Sequence, residues 1–288
     1  MSHQVATLPL KSDAHARMGS ILHEQGKLRE EDIERVLRAQ KRHGTSFGET
    51  ACRLGLVSAG DVQQALARQF GYHYLAPGDA RYPRELVAAH DPFSPQVEML
   101  RAVRTHLMQN WFGLGHPALT VASGGSGEGA SFFAANLAIA CAQLGERTLL
   151  VDANLRRPRQ HTIFALGRRQ GLSDILAGRA GIETFAKVDA FPHLSVLPAG
   201  TVPPNPLELL SRPAFGELQD SLASRFDVIL IDVPAFSVGA DALAIGARTR
   251  GTLLVCRKDR GRAGTIRNAG RQLARAGVEV VGSVLVEF

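Results

Sequence analysis

The feature that most limits how this chain can fold is a glycine-rich octet, Gly124, Gly125, Ser126, Gly127, Glu128, Gly129, Ala130 and Ser131, set between two apolar runs, PALTVAS and FFAANLAIACAQLG. Glycines let a backbone turn sharply and bring its N–H groups against an anion. A helix that starts at once behind them points its own unpaired N–H groups and its dipole at the same place. In the pattern GxxxxGK[ST] such amides wrap phosphates, the Ser or Thr holds magnesium, and the lysine bridges the β and γ oxygens. Here Gly124, Gly129 and Ser131 keep their places, and the lysine position is Ala130. The sequence therefore predicts a phosphate cradle running through Phe132, with a magnesium ligand at Ser131 and without the usual charge.

Behind the loop, strand-like apolar runs alternate with helical patterns: RTLLVDAN, LSVLPAG, FDVILIDVP, GTLLVCRK and VEVVGSVLV. Alternation of this kind specifies an α/β domain, a mostly parallel sheet with helices on both faces, which takes its ligands at the carboxyl ends of its strands. Two of the runs end in an acid, Asp152 in LLVDAN and Asp232 in VILIDVP. Alone, each reads as a helix cap. Together behind a glycine loop they are candidate magnesium ligands and catalytic groups.

The first 75 residues contain a tandem repeat. Arg17 to Gln40 aligns without gaps on Ser46 to Gln69, an offset of 29 positions, with glycine at the third and tenth place of each copy and glutamine at the last. The apolar positions suit two short helices per copy, with Gly26 and Gly55 as C-caps and Ser58 as an N-cap. The pattern resembles the MshEN-type N-terminal domain of secretion and pilus-assembly ATPases, in which two such motifs bind cyclic di-GMP. The resemblance implies that Arg17, Gly19, Leu28 and Gln40, with Phe47, Gly48, Val57 and Gln69, would line that ligand. Ser46 stands where the second motif favours a basic residue. The alternative is a docking module for a partner protein, with its glycines serving turns.

From Gly71 to Pro95 proline, glycine and aspartate are frequent, which predicts a linker. The division expected is a disordered tail over 1–16, a helical repeat domain over 17–75, a linker over 76–95 and the P-loop domain over 96–288. Glu98, Arg101 and Arg104 follow the linker at i, i+3 and i+6 and predict a charged helix face able to pair across subunits.

With these parts in place, nearly the whole chain resembles the bacterial tyrosine kinases (BY-kinases) of the EpsG chain-length-determinant type. GGSGEGAS stands for their Walker A motif, LLVDANLRRP for Walker A′, VILIDVPA for Walker B, and Glu98, Arg101 and Arg104 for an ExxRxxR ring-forming motif. The resemblance implies ATP or ADP with magnesium as ligands, an inner-membrane polysaccharide co-polymerase as partner, a homo-oligomeric ring, and a place in exopolysaccharide synthesis. Three positions depart from the family: Ala130 for the Walker A lysine, Asn154 for the second acid of A′, and VLVEF where a tyrosine cluster is expected. Tyr72, Tyr74 and Tyr82 all fall in or beside the predicted linker. Removing a charge aimed at a transferring phosphoryl group costs roughly 10² to 10³ in rate. The expectation is thus a catalytically impaired kinase acting as a regulatory subunit. The competing readings are an active autokinase and a ParA- or MinD-like ATPase, although the loop lacks the extra lysine that the latter carries near its start.

Composition narrows the rest. Among 288 residues, 33 Lys and Arg against 27 Asp and Glu give a formal charge of +6, which suits an anionic partner, with no motif for nucleic acid. Cys52, Cys141 and Cys256 lie far apart without a CxxC pair, against both a disulfide framework and a zinc site. No run is long and apolar enough for a membrane span, so the expected location is the cytoplasm, at the inner membrane through a partner. Arg267, Arg271 and Arg275 read as a solvated helix face.

Overall fold

The computed structural model of the chain describes residues 11–70, 72–75 and 79–287, with side-chain surroundings from Met18 onward. It divides into two compact units, 1–73 and 74–288.

The first unit is helical: α1 (Lys11–Glu24), α2 (Glu30–His43), α3 (Phe47–Arg53) and α4 (Ala59–Gln69). Helix α1 begins inside the stretch expected to be a disordered tail, and residues 1–10 lie outside the described residues. The repeat is visible in the packing. A methyl placed on Gly19 would sit 3.3 Å from both Ile33 and Phe47, and one on Gly48 would sit 2.4 Å from Val62 and 3.4 Å from Met18. Ile33 and Val62, and likewise Met18 and Phe47, are repeat mates, so each glycine admits the same pair of neighbours from opposite copies. Gly26 and Gly55 end the first helix of each copy at φ +69° and +68°, in the left-handed region that favours glycine. Ser58 caps α4, accepting from the Asp61 N–H while Asp61 accepts from the Ser58 N–H.

The second unit is a three-layer α/β/α sandwich. Its strands are β1 (Ala118–Ser123), β2 (Thr148–Asp152), β3 (Ala186–Val188), β4 (Phe191–Leu197), β5 (Val228–Asp232), β6 (Gly251–Arg257) and β7 (Glu279–Val286), in the order β3-β4-β2-β5-β1-β6-β7. All neighbours are parallel except β3 on β4. The six longer strands match the runs read from the sequence, and the three-residue β3 carries too short a pattern to be read. Helices α5 (Val87–His90), α6 (Pro95–Asn110) and α7 (Ala130–Gln143) share one core with Leu119, Val121, Leu150, Val228 and Leu230. The alternate residues Ala118, Ala122, Leu149, Val151, Ile229 and Ile231 belong to the other core. Helices α9 (Leu172–Leu176), α10 (Pro206–Leu210), α11 (Pro213–Ala223) and α12 (Asp241–Thr249) close that side. The short α8 (Gln160–Ile163) follows β2, and α13 (Ala263–Arg275) precedes β7. Its Arg267, Arg271 and Arg275 are exposed, as a solvated face requires.

Helix α7 is apolar around nearly its whole circumference because the sheet covers one side and α5 and α6 the other. Its two buried amides correct the linker expectation. Asn136 accepts from the Ala88 N–H at 2.9 Å and donates to the Glu85 carbonyl at 2.9 Å, and Gln143 donates to the Ala88 carbonyl at 3.0 Å. Leu86, Ala88 and Ala89 are fully buried. The proline- and glycine-rich composition marks turns here, and the described part of 76–95 is a layer of the domain. Residues 76–78 lie outside the described residues.

Helix α6 corrects a second reading. Val97, Leu100, Arg104 and Leu107 form its buried stripe, so Arg104 faces α7 and donates to the Ala140 carbonyl at 2.9 Å. Arg101 is held by Glu98 at 3.0 Å and by the Pro92 carbonyl at 2.6 Å. Glu98, with its side chain 74% exposed, is the one member of the triplet that faces solvent.

Two substitutions test this packing. Asn136→Leu strands the buried Ala88 N–H and removes the partner of the Glu85 carbonyl, and should cost about 2 kcal/mol in urea denaturation, with faster hydrogen exchange at the Ala88 amide. Gly48→Ala should destabilise the N-terminal unit by about 1 to 3 kcal/mol, and Gly19→Ala by distinctly less, because its methyl meets neighbours that need to give only slightly. Equal effects at both glycines would contradict the packing described.

Candidate functional site

Register builds the site. Strands β2 and β5 pair so that Asp152 stands opposite Asp232, and β1 pairs with β5 so that Val121 stands opposite Asp232. Two carboxylates thus end adjacent strands, and the glycine loop leaves the sheet from the next strand over. Both acids are fully buried. Burial drives the carboxyl pKa of each well above the ordinary carboxylate range, and for Asp152 the charge of Asp232 adds to it. Asp152 is partly compensated by three main-chain donors, Asn154 at 3.2 Å and Arg159 and Gln160 at 2.9 Å each. Asp232 has less. Its Oδ2 accepts from the Gln160 side chain at 2.8 Å, and the neighbouring Ser131 and Arg159 pull its pKa down against burial, while its Oδ1 has no partner.

The loop has the backbone that its glycines predict. Gly127 and Gly129 stand at φ +80° and +89°, and α7 starts at Ala130 with the Gly129 carbonyl taking its first bond from Phe133. Ser126 and Gly127 are exposed, Gly125, Gly129, Ser131 and Phe132 are half-buried, and Gly124 is buried. The Ala130 side chain is tucked against the protein at 7% exposure, so nothing of that residue reaches outward. Glu128 points back into the protein. Burial raises its pKa, the facing amides of Gly125 and Gly124 and the charge of Arg260 pull it down, and its Oε2 has no partner. Behind the loop start, the Phe236 and Ser237 N–H groups bond to the Ser123 and Gly124 carbonyls, both at 3.0 Å, fixing it to the segment after β5.

The donor set fits magnesium carried by a phosphate chain better than a protein-caged metal. No group of three or more His, Cys, Asp or Glu able to hold an ion occurs among the described residues. Magnesium is commonly held by one or two carboxylates with phosphate oxygens and water. Ser131 with Asp232, whose unpartnered oxygen is buried at a strand end, meets that need, and Asp152 stands beside them. Asn154 occupies the A′ position and accepts from the Arg157 N–H at 3.1 Å, the turn bond an aspartate would make.

Several participants carry no spacing signal. Gln160 is fully buried and its amide donates both to the Ser131 carbonyl, at 3.1 Å, and to Asp232. Asp241, buried at the start of α12, is paired with Arg156 at 3.0 Å. Arg159 lies over the Phe132 ring, 5.3 Å from its centroid. Arg260, from the turn after β6, lies against Gly127. The strand order offers the one usable hint, since β6 is β1's other neighbour and its carboxyl end carries a run of cations, Arg257, Lys258 and Arg260.

The residues expected to bind a cyclic dinucleotide are distributed differently. Gly19, Leu28, Phe47 and Gly48 are buried in the helical core, and Gln40, Val57 and Gln69 are half-buried. The Arg17 side chain lies outside the described residues.

Comparison with known proteins places this geometry. The sequence profile of the family described as cellulose biosynthesis protein BcsQ matches residues 117–275. The putative tyrosine-protein kinase EpsB of Ralstonia solanacearum is 38% identical over 199 residues, covering 69% of this chain and 26% of that protein. The chain thus spans about a quarter of that relative's length. The tyrosine-protein kinase YwqD of Bacillus subtilis is 32% identical over 206 residues, 72% of this chain and 87% of YwqD. Among solved structures, the kinase domain of the Escherichia coli tyrosine kinase ETK superposes with a TM-score of 0.67 at 29% identity, covering 70% of this chain and 79% of that one. The septum site-determining protein MinD of Pyrococcus horikoshii, solved with Mg-ADP, superposes at 0.51 with 25% identity, over 58% and 69%. No helix among the described residues is long and apolar enough to cross a membrane. With its glycine loop, paired strand-end acids and parallel sheet, the chain belongs to the bacterial tyrosine-protein kinase family, built on a BcsQ- and MinD-like P-loop domain.

Proposed function

We propose that this chain is a nucleotide-binding member of its family with impaired phosphoryl transfer, acting as a regulatory subunit in the synthesis of an exported polysaccharide beside an inner-membrane co-polymerase. The observation that carries the reading is Ala130, a buried methyl at the lysine position of a loop otherwise shaped for phosphate. Loop amides from Gly127 to Phe132 hold the β-phosphate side of the nucleotide. Ser131 and Asp232 hold magnesium, whose charge offsets that of the phosphates, and Asp152 orients the ion's water shell. Binding needs these elements and transfer needs more: a cation on the γ-phosphate and an accessible acceptor. Two of the chain's three tyrosines are poor acceptors in cis, because Tyr82 is buried and burial pushes the half-buried Tyr74 hydroxyl up to about 12. Packing accounts for Gly19, Leu28, Phe47 and Gly48, half of the N-terminal residues expected to hold cyclic di-GMP, and the proposal rests on the P-loop unit alone.

Calorimetric titration with Mg-ATP and Mg-ADP, beside a phosphotyrosine blot after incubation with Mg-ATP, tests the reading. Both nucleotides should bind and no phosphotyrosine should form. Ala130→Lys should tighten Mg-ATP roughly tenfold, the worth of one charge-assisted hydrogen bond. Phosphotyrosine in the unaltered protein, abolished by Asp152→Ala, would instead establish an active kinase, and failure to bind either nucleotide would end the nucleotide reading.

The acid pair yields a pH prediction. Both carboxyls have native pKa values raised above their unfolded ones, so the native state binds more protons, and magnesium-free stability falls as pH rises from near 4 through neutrality. Asp232→Asn removes one of the two repelling charges. Urea denaturation without magnesium should find the variant more stable than the parent at pH 8 and the two converging towards pH 4. A parallel pH dependence in both proteins would remove Asp232 as its source.

A further inference from the structure

We propose that Arg260 supplies, from the turn after β6, a cation for the polyphosphate of a bound nucleoside di- or triphosphate that the loop lacks at Ala130. The inference rests on the nucleotide reading above and adds the residue that makes a lysine-free loop workable.

The geometry begins with the sheet. Strands β1 and β6 are parallel neighbours with Ser123 opposite Val255, so the chain leaves the sheet after each at the same edge and on adjacent tracks. The β1 track becomes the glycine loop and the β6 track the turn carrying Arg260. The two touch along their length. A methyl on Gly124 would lie 2.9 Å from Ile266, and a methyl on Gly261 would lie 3.7 Å from the Glu128 carboxyl carbon. At Gly127 the contact is with the cation itself, since a methyl there would be 3.3 Å from one terminal guanidinium nitrogen of Arg260, 3.4 Å from Cζ and 3.7 Å from the other. The guanidinium therefore lies across a residue in the turn whose amides face an incoming phosphate. Gly127 is also at φ +80°, so both its backbone and its neighbour exclude a side chain.

Three other cations nearby are committed. Lys258 is paired with Glu287 at 2.7 Å, and Arg156 with the buried Asp241. Arg159 stacks on Phe132 and its charge acts on Asp232, on the metal side of the loop. Arg260 is exposed and forms none of the ion pairs found among the described residues. Its charge is felt by Glu128, which faces the amides of Gly125 and Gly124 rather than the turn at Gly127. A planar, always-charged guanidinium on a flexible stem suits phosphate oxygens and can present two donors to them.

The test is calorimetry on the full chain with two probes, Mg-ADP and magnesium tripolyphosphate, using Arg260→Ala, Arg260→Lys and the double variant Ala130→Lys/Arg260→Ala. Arg260→Ala should weaken both probes roughly tenfold without lowering the ligand-free melting temperature, because the side chain is exposed. Arg260→Lys should recover part of the loss. Adding Ala130→Lys should restore binding and gain more in the Arg260→Ala background than in the parent, as two cations serving one phosphate chain do. Unchanged Mg-ADP affinity in Arg260→Ala would overturn the inference and leave the nucleotide reading standing. Weakened Mg-ADP with unchanged tripolyphosphate would also overturn it, since Arg260 would then recognise the nucleoside. A parent protein that binds neither probe removes both readings together.

Discussion

Everything in the P-loop unit is arranged around the register of β2, β5 and β1, which sets Asp152 against Asp232 and brings the glycine loop alongside. Two buried like charges are unfavourable for folding, each through lost hydration and both through mutual repulsion. The protein distributes its hydrogen bonds unequally between the two acids. Asp152 is turned into three main-chain donors and becomes part of the backbone's hydrogen-bonding scheme. Asp232 keeps one buried oxygen without a hydrogen-bond partner. The asymmetry separates a carboxylate that shapes the A′ turn from one that can accept a cation.

Gln160 holds the gap between these parts. One amide group touches the Ser131 carbonyl at the base of α7 and the Asp232 carboxylate, while the Gln160 N–H serves Asp152. A neutral donor steadies a carboxylate without cancelling its charge, so the acid stays attractive to a metal. The same economy recurs on the far side of α7, where Asn136 and Gln143 fasten the 85–90 segment through buried amides. The helix behind the loop is thereby gripped at both ends, which is the rigidity a phosphate cradle needs, since its amides act only if their directions are fixed before the ligand arrives.

How much of this was legible in the sequence follows from the range of the signals. The six longer strands, the loop and both strand-end acids announce themselves within about ten residues and are where periodicity and glycine spacing put them. The linker reading failed because local composition cannot reveal that amides at 136 and 143 reach back about 50 residues. The reading of Arg104 failed against evidence already present, since Val97, Leu100 and Leu107 fall on its own stripe at helical spacing, and a charge on such a stripe turns inward and finds a carbonyl. Arg260 and Gln160 could not have been singled out by spacing. They act through partners brought near by strand order alone.

Ala130 and Asn154 are best understood together. Relative to the family pattern one removes a positive charge from the loop and the other a negative charge from the A′ turn, so the net charge of the site is unchanged. Each substitution also keeps a structural duty: Ala130 is a strong helix former at the first position of α7, and Asn154 still receives the Arg157 N–H. Losing the lysine alone would leave the phosphate chain facing three acids with too little cation. Losing both withdraws the charges that distinguish a transition state from a bound ground state while keeping the balance that lets a magnesium nucleotide sit. On the proposed reading, a site altered in this paired way holds a nucleotide without spending it, as a regulatory subunit would.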